Sequence, residues 1–234
     1  MIVGHKTIEL FEKTLFTWIA LKPPISIAAP MPDNEACFTY ILEGKNISFS
    51  ELEMVVTSEK GAMLSKCGNY ISKICSAKQE DIFSSITIHF HKEVLEKIYT
   101  NDIPFFLKNP QRISCNSTNV EVTNLITNYF EGVLQLIKQP RAISEDILIL
   151  KLKEVILLLI NTKSSYEIQE IISTLFSKGT FDLKQVVKAH ICSPISLNEL
   201  AQLANRSLSV FKKDFKEVYR TCLLYTSPSP RDRG

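Results

Sequence analysis

Between Pro30 and Phe90 the apolar residues fall in short runs with polar breaks between them, a pattern typical of β-strands. The breaks at Glu43-Gly44-Lys45, Glu59-Lys60-Gly61 and Cys67-Gly68-Asn69 contain glycine, which supplies the positive φ of tight turns. The pattern predicts an antiparallel sandwich or small barrel. Its predicted strands are Ala36–Glu43, Asn46–Ser50, Glu53–Thr57, Ala62–Lys66, Asn69–Cys75 and Ile82–Phe90.

The first 21 residues have a different periodicity. Their large apolar residues fall at helical spacing, at Ile8, Phe11, Leu15, Trp18 and Ile19. This spacing predicts an amphipathic surface helix. Glu9, Glu12 and Lys13 would interrupt the apolar core of an export signal. The most apolar stretch, Ile147–Ile160, contains charged residues and is shorter than the ~20 residues that a membrane span needs. We therefore expect a cytoplasmic protein with no membrane partner.

Apolar positions recur every three or four residues from about Asn119 to Ser177, which predicts helices. Pro140 ends the first helix because proline lacks the N–H that the helix would use. Ser144 then begins a very apolar helix that runs to Ile160. So wide an apolar face needs neighbours on several sides. Two interpretations stay open: packing within the chain, and a dimer interface between two such helices.

A third helical zone follows Gly179. The segment Leu183–Ala189 predicts a short helix. Ser196 is followed three residues later by Glu199, and this spacing is that of a capping box, in which each side chain bonds a backbone N–H of the other residue. The capping box predicts that a helix covers Leu197–Ala204.

A short turn, Asn205-Arg206, leads to Ser207, which is a suitable N-cap for one more helix. That helix repeats apolar residues at i, i+4 and i+7, namely Phe211, Phe215 and Val218. Two helices with apolar inner faces and a short turn between them predict a helix-turn-helix.

The outer face of the last helix is polar and basic, so it could read DNA in the major groove. Lys212 and Lys213 could donate to guanine O6 and N7, while Arg206 and Lys216 lie where phosphate contacts are more common. The alternative is a solvated helix face with ordinary lysines. The predicted DNA-binding residues are Arg206, Ser207, Ser209, Lys212, Lys213 and Lys216.

Composition limits the other classes of function. The net charge is only +2, so a nucleic-acid surface must be a local patch. The six cysteines form no C-x-x-C pair and are expected to be reduced thiols. His89 and His91 alternate on a predicted strand and could begin a metal site, but further ligands at a matching spacing are not apparent. There is no phosphate-binding glycine loop and no nucleophile elbow. We expect no enzyme activity, metal or cofactor.

The segment Ile195–Lys216 resembles the first helix-turn-helix of AraC-type regulators. It has the Leu-Ala pair of the first helix, the serine cap, and the pattern Phe-Lys-x-x-Phe-Lys in the second helix. The resemblance implies that Ser209, Lys212 and Lys213 face the bases. The family usually has glycine where Arg220 stands, so the second helix is expected to end differently here.

Looser similarities cover the rest of the chain. Cys37–Gly44 and Lys66–Tyr70 resemble the cupin-type N-terminal domain of the same family, and Leu148–Leu159 resembles its helical linker. The resemblance implies a sensing barrel, a dimerising linker and two helix-turn-helix units. The partners it implies are double-stranded DNA, a second copy of the chain, and a small-molecule or protein effector at the N-terminal domain.

The expected fold is therefore α+β, with an antiparallel cupin-like barrel or sandwich, a helical linker and an all-α C-terminal unit. We expect a regulatory domain with its N-terminal helix at 1–117, a dimerising linker at 118–179 and the helix-turn-helix at 180–221. The segment 222–234 resembles, from Cys222 to Asp232, the translation of a sequencing-library adaptor. With only one helix-turn-helix, the chain is expected to bind DNA weakly or non-specifically. The alternatives are a cupin-fold metal enzyme and an effector-sensing protein without its own DNA binding.

Overall fold

The computed structural model describes residues 1–75, 82–100, 104, 115–139, 143–163, 165–173, 175, 183–190 and 192–219. Within these ranges the first half of the chain is mainly strand. The strands are β1 (Ile2–Leu10), β2 (Lys13–Leu21), β3 (Ile25–Glu43), β4 (Lys45–Phe49), β5 (Met54–Ser58), β6 (Ala62–Cys75), β7 (Phe83–His91) and β8 (Ser117–Val120).

The described strands form one antiparallel sheet in the order β1-β2-β7-β3-β6-β4-β5, with β8 paired to β6. The long strands β3 and β6 lie at its centre and pair along most of their length. Helices occupy the C-terminal half. They are α1 (Lys92–Ile98), α2 (Asn124–Lys138), α3 (Glu145–Ile160), α4 (Ser165–Ser173), α5 (Leu183–His190), α6 (Leu197–Leu203) and α7 (Leu208–Tyr219). The predicted α+β class is confirmed.

The N-terminal segment is a β-hairpin, so the predicted amphipathic helix is wrong. Leu10 pairs with Lys13, and the two residues between them, Phe11 and Glu12, have φ of 53° and 63°. Positive φ at both positions is the mark of a two-residue hairpin turn. β2 then pairs with β7, where Phe16 lies opposite Ile88. These strand pairs outweigh the weak helical spacing of the apolar residues.

The predicted break at Cys67-Gly68-Asn69 is also wrong, because β6 runs through it. Gly68 is needed there for a different reason. A Cβ on Gly68 would lie 2.9 Å from both carboxylate oxygens of Glu51. The missing side chain leaves room for Glu51 to accept hydrogen bonds from the Asn69 N–H at 2.7 Å and the Asn116 amide at 2.6 Å.

The larger core lies between one face of the sheet and α2, α3 and α4. The Phe130 ring of α2 stacks on Tyr40 at 4.6 Å between centroids and tilts against Phe38 at 5.2 Å. Local caps begin these helices where the sequence predicted, since the Ser144 hydroxyl accepts from the N–H of Ile147. One side of α3 therefore packs within the chain.

The opposite side of α3 keeps an apolar stripe in contact with solvent. Leu150 is 66% exposed, Leu157 is 57% exposed and Ile147 is 39% exposed. Their spacing of three and seven residues puts them on one helix face. No helix in the described part of the chain is long and apolar enough to cross a membrane.

A second, smaller core joins the C-terminal helices to the sheet. Phe49 of β4 and Ile71 of β6 are buried among apolar residues of α5, α6 and α7. The His190 ring at the end of α5 donates its Nε2–H to the carbonyl oxygen of Ser50. The three C-terminal helices are thus docked on the edge of the sheet that carries β4 and β6.

Candidate nucleic-acid interface

The first helix of the candidate interface, α6, begins at the predicted capping box. The Ser196 hydroxyl accepts from the N–H of Glu199 at 3.2 Å, and the Glu199 carboxylate accepts from the N–H of Ser196 at 2.6 Å. Burial raises the pKa of the Glu199 carboxyl, but the Ser196 hydrogen bonds and the Lys73 charge outweigh it and leave this pKa below its ordinary value. The cap therefore favours the ionised form of the Glu199 carboxylate.

The turn between α6 and α7 has the hydrogen bonds of a Schellman motif. The N–H of Arg206 donates to Ala201 and the N–H of Asn205 donates to Gln202, both at 2.9 Å. Asn205 has a φ of 52°, and asparagine tolerates this left-handed conformation better than most residues. The turn therefore fixes the angle at which α7 leaves α6.

The second helix, α7, is held by its inner face. Ser207 caps it, since its hydroxyl accepts from the N–H of Val210. Phe211 and Phe215 are 0% and 3% exposed, as the sequence predicted. Val218 was predicted on the same inner face, but it is 39% exposed. The Tyr219 ring takes that place and stacks on Phe215 with the centroids 4.5 Å apart.

The structure brings together the polar outer face that the sequence predicted. Ser209, Lys212, Lys213 and Lys216 are all exposed, and their spacing of three, four and seven residues places them in one stripe. The inner face is turned into the second core. The stripe therefore projects three lysine charges away from the body of the protein.

Arg206 and Ser207 lie at the edge of this stripe and already have partners. The Arg206 guanidinium donates from Nε to Asp214 and from Nη1 to the carbonyl of Ala204, each at 2.7 Å. The Ser207 hydroxyl lies 3.1 Å from that of Ser209. Arg206 and Ser207, which were predicted as a phosphate contact and a helix cap, are therefore hydrogen-bonded near the turn, whereas the lysines point outward.

The sheet reaches the helix-turn-helix at the same end. Lys73 of β6 donates to the carbonyl oxygen of Pro194 at 2.7 Å and lies 3.5 Å from the Glu199 carboxylate. A cavity of about 360 Å³ also lies between the sheet and the helix-turn-helix. Its lining comes from both units: Ala28, Asn69, Tyr70 and Ile71 from the sheet, and Gln202, Leu203, Asn205, Arg206 and Ser207 from the helix-turn-helix.

A separate polar cluster lies on β3 and β7, and only its two histidines were noticed in the sequence. Cys37 lies opposite His89, and Glu35 lies opposite His91. The Glu35 carboxylate is 2.6 Å from Nδ1 of His89, and the Cys37 thiol is 3.4 Å from both. Strand pairing brings Glu35 and Cys37 to a histidine more than fifty positions away, so sequence spacing gave no signal for them.

Charge and burial shift the pKa of Glu35 in opposite directions and the pKa of Cys37 in the same direction. Burial raises the pKa of the Glu35 carboxyl, but its hydrogen bond with His89 and the charges of His89 and His91 outweigh it and hold this pKa below its ordinary value. Burial and the nearby Glu35 charge raise the pKa of the Cys37 thiol well above its ordinary value. These shifts favour a carboxylate at Glu35 and a protonated thiol at Cys37.

The family known as the ExsA N-terminal regulatory domain matches residues 36–171. The chain belongs to this family. The matched range contains strands β4 to β8 and helices α1 to α3, so it takes in most of the sheet and most of the helices packed on it. The ExsA match supports the predicted relationship to AraC-type regulators for this N-terminal part. It stops before the helix-turn-helix, so the DNA-binding role of α6 and α7 stays a prediction.

Solved structures similar to the chain include ToxT from Vibrio cholerae strain SCE256 with a bound unsaturated fatty acid. It is 12% identical, with 94% of this chain and 78% of ToxT covered and a TM-score of 0.49. The AraC-like transcriptional activator CuxR is 10% identical over 91% of this chain and 71% of its own, with a TM-score of 0.38. The cupin domain of Schizosaccharomyces pombe Cnp3 is 15% identical over 45% and 77%, with a TM-score of 0.33. No curated protein sequence matches the chain.

Proposed function

We propose that this member of the ExsA N-terminal regulatory domain family is a sequence-specific DNA-binding transcription regulator. The observation that carries the proposal is the stripe of Ser209, Lys212, Lys213 and Lys216 on a helix whose other face is anchored in a core. A helix held in this way can enter the major groove without unfolding, because its outer side chains are already exposed to solvent.

The proposal assigns different DNA contacts to the residues of the stripe and to Arg206. Lys212 and Lys213 lie in the middle of α7 and donate to base edges, where guanine offers two acceptors. Ser209 lies one turn earlier and can contact either a base or a phosphate. Lys216, toward the end of the helix, and Arg206, before its start, neutralise phosphates. For Arg206 this contact requires a phosphate to replace the Asp214 carboxylate that it binds in the structure.

We further propose that two copies associate through the exposed stripe of α3. Ile147, Leu150 and Leu157 expose apolar side chains on a helix that belongs to the linker between the sheet and the helix-turn-helix. Burying such a stripe against its copy removes apolar area from water on both sides. A homodimer would present two α7 helices to repeated half-sites of the DNA.

An effector, small molecule or protein, acts in this proposal at the N-terminal domain. The cavity of about 360 Å³ borders both the sheet and the turn of the helix-turn-helix. Whatever fills it contacts Arg206 and Ser207 directly, so its binding affects the residues that flank the DNA-reading stripe. The regulated genes and the direction of regulation depend on the site to which the protein binds.

DNA binding can be tested by fluorescence anisotropy with a labelled duplex from upstream of the protein's own gene. The variant Lys212→Ala/Lys213→Ala is compared with Lys184→Ala/Lys188→Ala, which removes the same charge from exposed positions of α5 in the same helical unit. Loss of base contacts should cost about 1–3 kcal/mol for each lysine on the specific duplex. The α5 variant should bind nearly as the unchanged protein does.

Two outcomes would contradict the proposal. Equal weakening by both double variants would mean that only overall charge matters. Unchanged affinity and unchanged preference for the specific duplex in Lys212→Ala/Lys213→Ala would mean that α7 does not read DNA. Repeating the titration at several salt concentrations separates the two kinds of contact, because each lost phosphate contact lowers the salt slope by about 0.9.

A further inference from the structure

The described part of the chain contains one group of three side chains that have the chemistry of a metal site and lie close enough together. Glu35, Cys37 and His89 each offer one ligand atom, and these atoms lie within 4.8 Å of one another. The cluster is on the sheet face opposite to the one that α2–α4 cover, because its residues alternate along β3 with Ala36 and Phe38 of the large core. It has no part in the proposed DNA contacts.

The distances between these atoms are near those around a tetrahedral zinc ion. With bonds of about 2.3 Å to sulfur and about 2.0–2.1 Å to nitrogen, a sulfur and a nitrogen ligand are about 3.6 Å apart. The Cys37 sulfur lies 3.4 Å from Nδ1 of His89 and 3.4 Å from Oε1 of Glu35. Only the pair formed by Nδ1 and Oε1, at 2.6 Å, must open by about 0.7 Å, a small rotation of the carboxylate.

The outer nitrogen of the His89 ring already has a hydrogen-bond partner of the kind that metal-bound histidines have. Nε2 of His89 lies 2.9 Å from the Thr17 hydroxyl, which orients the ring with Nδ1 toward Glu35 and Cys37. Metal-bound histidines commonly have such a partner on their other nitrogen. The partner fixes the ring before an ion arrives, so less ordering is needed on binding.

The second histidine, His91, lies next to the three proposed ligands. Nε2 of His91 lies 2.8 Å from the carbonyl oxygen of Thr14, which can only accept, so Nε2 carries the proton. Its Nδ1 lies 3.9 Å from Oε2 of Glu35. This position lets His91 offer a nitrogen as a fourth ligand beside the three.

We propose that the regulatory domain binds a zinc-class divalent ion through Glu35, Cys37 and His89. Thiolate, imidazole and carboxylate together suit zinc and its neighbours in the first transition row, whereas magnesium and calcium prefer oxygen alone. Binding displaces the thiol proton of Cys37 to solvent, and the fourth position is left to water or to His91. Side chains that are 11% exposed at Glu35 and 18% at His89 leave a route for the ion.

The test uses the full chain, freed of metal with a chelator and titrated with Co²⁺ as an optical probe for zinc. One ion per chain should bind, with a thiolate-to-cobalt charge-transfer band that Cys37→Ser abolishes. The matched control is Cys192→Ser, because Cys192 is an exposed thiol far along the chain. Zn²⁺ affinity, measured by competition with a chromogenic chelator, should fall more than tenfold in His89→Gln and stay unchanged in His5→Gln.

A variant that replaces none of the proposed ligands keeps the test decisive if the ligand variants fold poorly. Thr17→Val removes only the hydroxyl that orients His89 and should weaken Zn²⁺ binding about tenfold. Zn²⁺ should also raise the melting temperature of the unchanged chain but not that of Cys37→Ser. The proposal is overturned if no charge-transfer band forms, if the band persists in Cys37→Ser, or if Cys192→Ser removes it. In that case the cluster is a hydrogen-bonded network without a metal.

Discussion

We expect the two hydrophobic cores of the protein to unfold independently, and the substitution Phe211→Ala tests this expectation. Phe211 is fully buried in the smaller core, where its ring lies 6.2 Å from that of Phe215. The larger core, between the sheet and α2–α4, does not include it. Removing the ring therefore leaves a cavity in the smaller core and leaves the packing of the larger core unchanged.

The magnitude follows from burial and size. Truncating a fully buried phenylalanine to alanine costs about 3–5 kcal/mol. Helices α5 to α7 lie within residues 183–219. A unit of roughly forty residues at about 0.05–0.15 kcal/mol per residue has a stability of about 2–6 kcal/mol. The substitution therefore removes most of the free energy that keeps α5–α7 folded and docked.

Hydrogen exchange measured by mass spectrometry can follow both units in one sample. In Phe211→Ala, amides of α6 and α7 should lose most of their protection, while those of β3, β6 and β7 keep theirs. Val218→Ala is the matched control on the same helix, because Val218 is 39% exposed and its loss leaves no cavity. It should change protection by less than about 0.5 kcal/mol.

Either of two results would refute this reasoning. Equal loss of protection in the sheet and in α6–α7 would show that the molecule unfolds as one cooperative unit, despite its two cores. A loss in Phe211→Ala no larger than that in Val218→Ala would show that the Phe211 ring does not anchor α7. The second result would also remove the basis for an outward-facing lysine stripe.

Two further predictions concern pH and assembly. Burial lowers the pKa of the His190 ring, while its hydrogen bond to Ser50 opposes the shift, so the unfolded chain binds a proton more readily than the folded one. The stability that His190 contributes is therefore complete above about pH 6.5 and declines as the pH falls below that value. In His190→Gln the melting temperature should depend less on pH over that range, and an unchanged pH dependence would contradict this. Leu150→Glu/Leu157→Glu should shift the mass seen by analytical ultracentrifugation from dimer to monomer, and an unshifted mass would show that α3 is not the interface.

The helices could be predicted because their signals are local. The capping box of Ser196 and Glu199, the serine cap at Ser144 and the turn at Asn205 all act between residues a few positions apart. The same is true of the stripe on α7, whose spacing is set by one helix. The site proposed for DNA was therefore visible in the sequence, and only Val218 was assigned to the wrong face.

The features that sequence reasoning missed depend on contacts between distant parts of the chain. The β1–β2 hairpin contains apolar residues at helical spacing, and its strand form is settled by pairing with β7, some seventy positions later. Glu35 and Cys37 become neighbours of His89 only through the register of β3 against β7. A register one residue different would turn these side chains to the opposite face, and no local pattern fixes that choice.

Strand β6 connects the two proposed sites physically. Its Ser65 pairs with Cys37 of the metal cluster. Eight residues further along, Lys73 contacts the docked helices, and Cys75, two residues later, pairs with β4. Lys73 contacts the Glu199 carboxylate that caps α6, so the position of β6 bears on the start of the helix-turn-helix. An ion or effector can shift the balance between docked and undocked helices only by the difference in its affinity for those two states. The docking surface is thus where regulation of the helix-turn-helix should be measured.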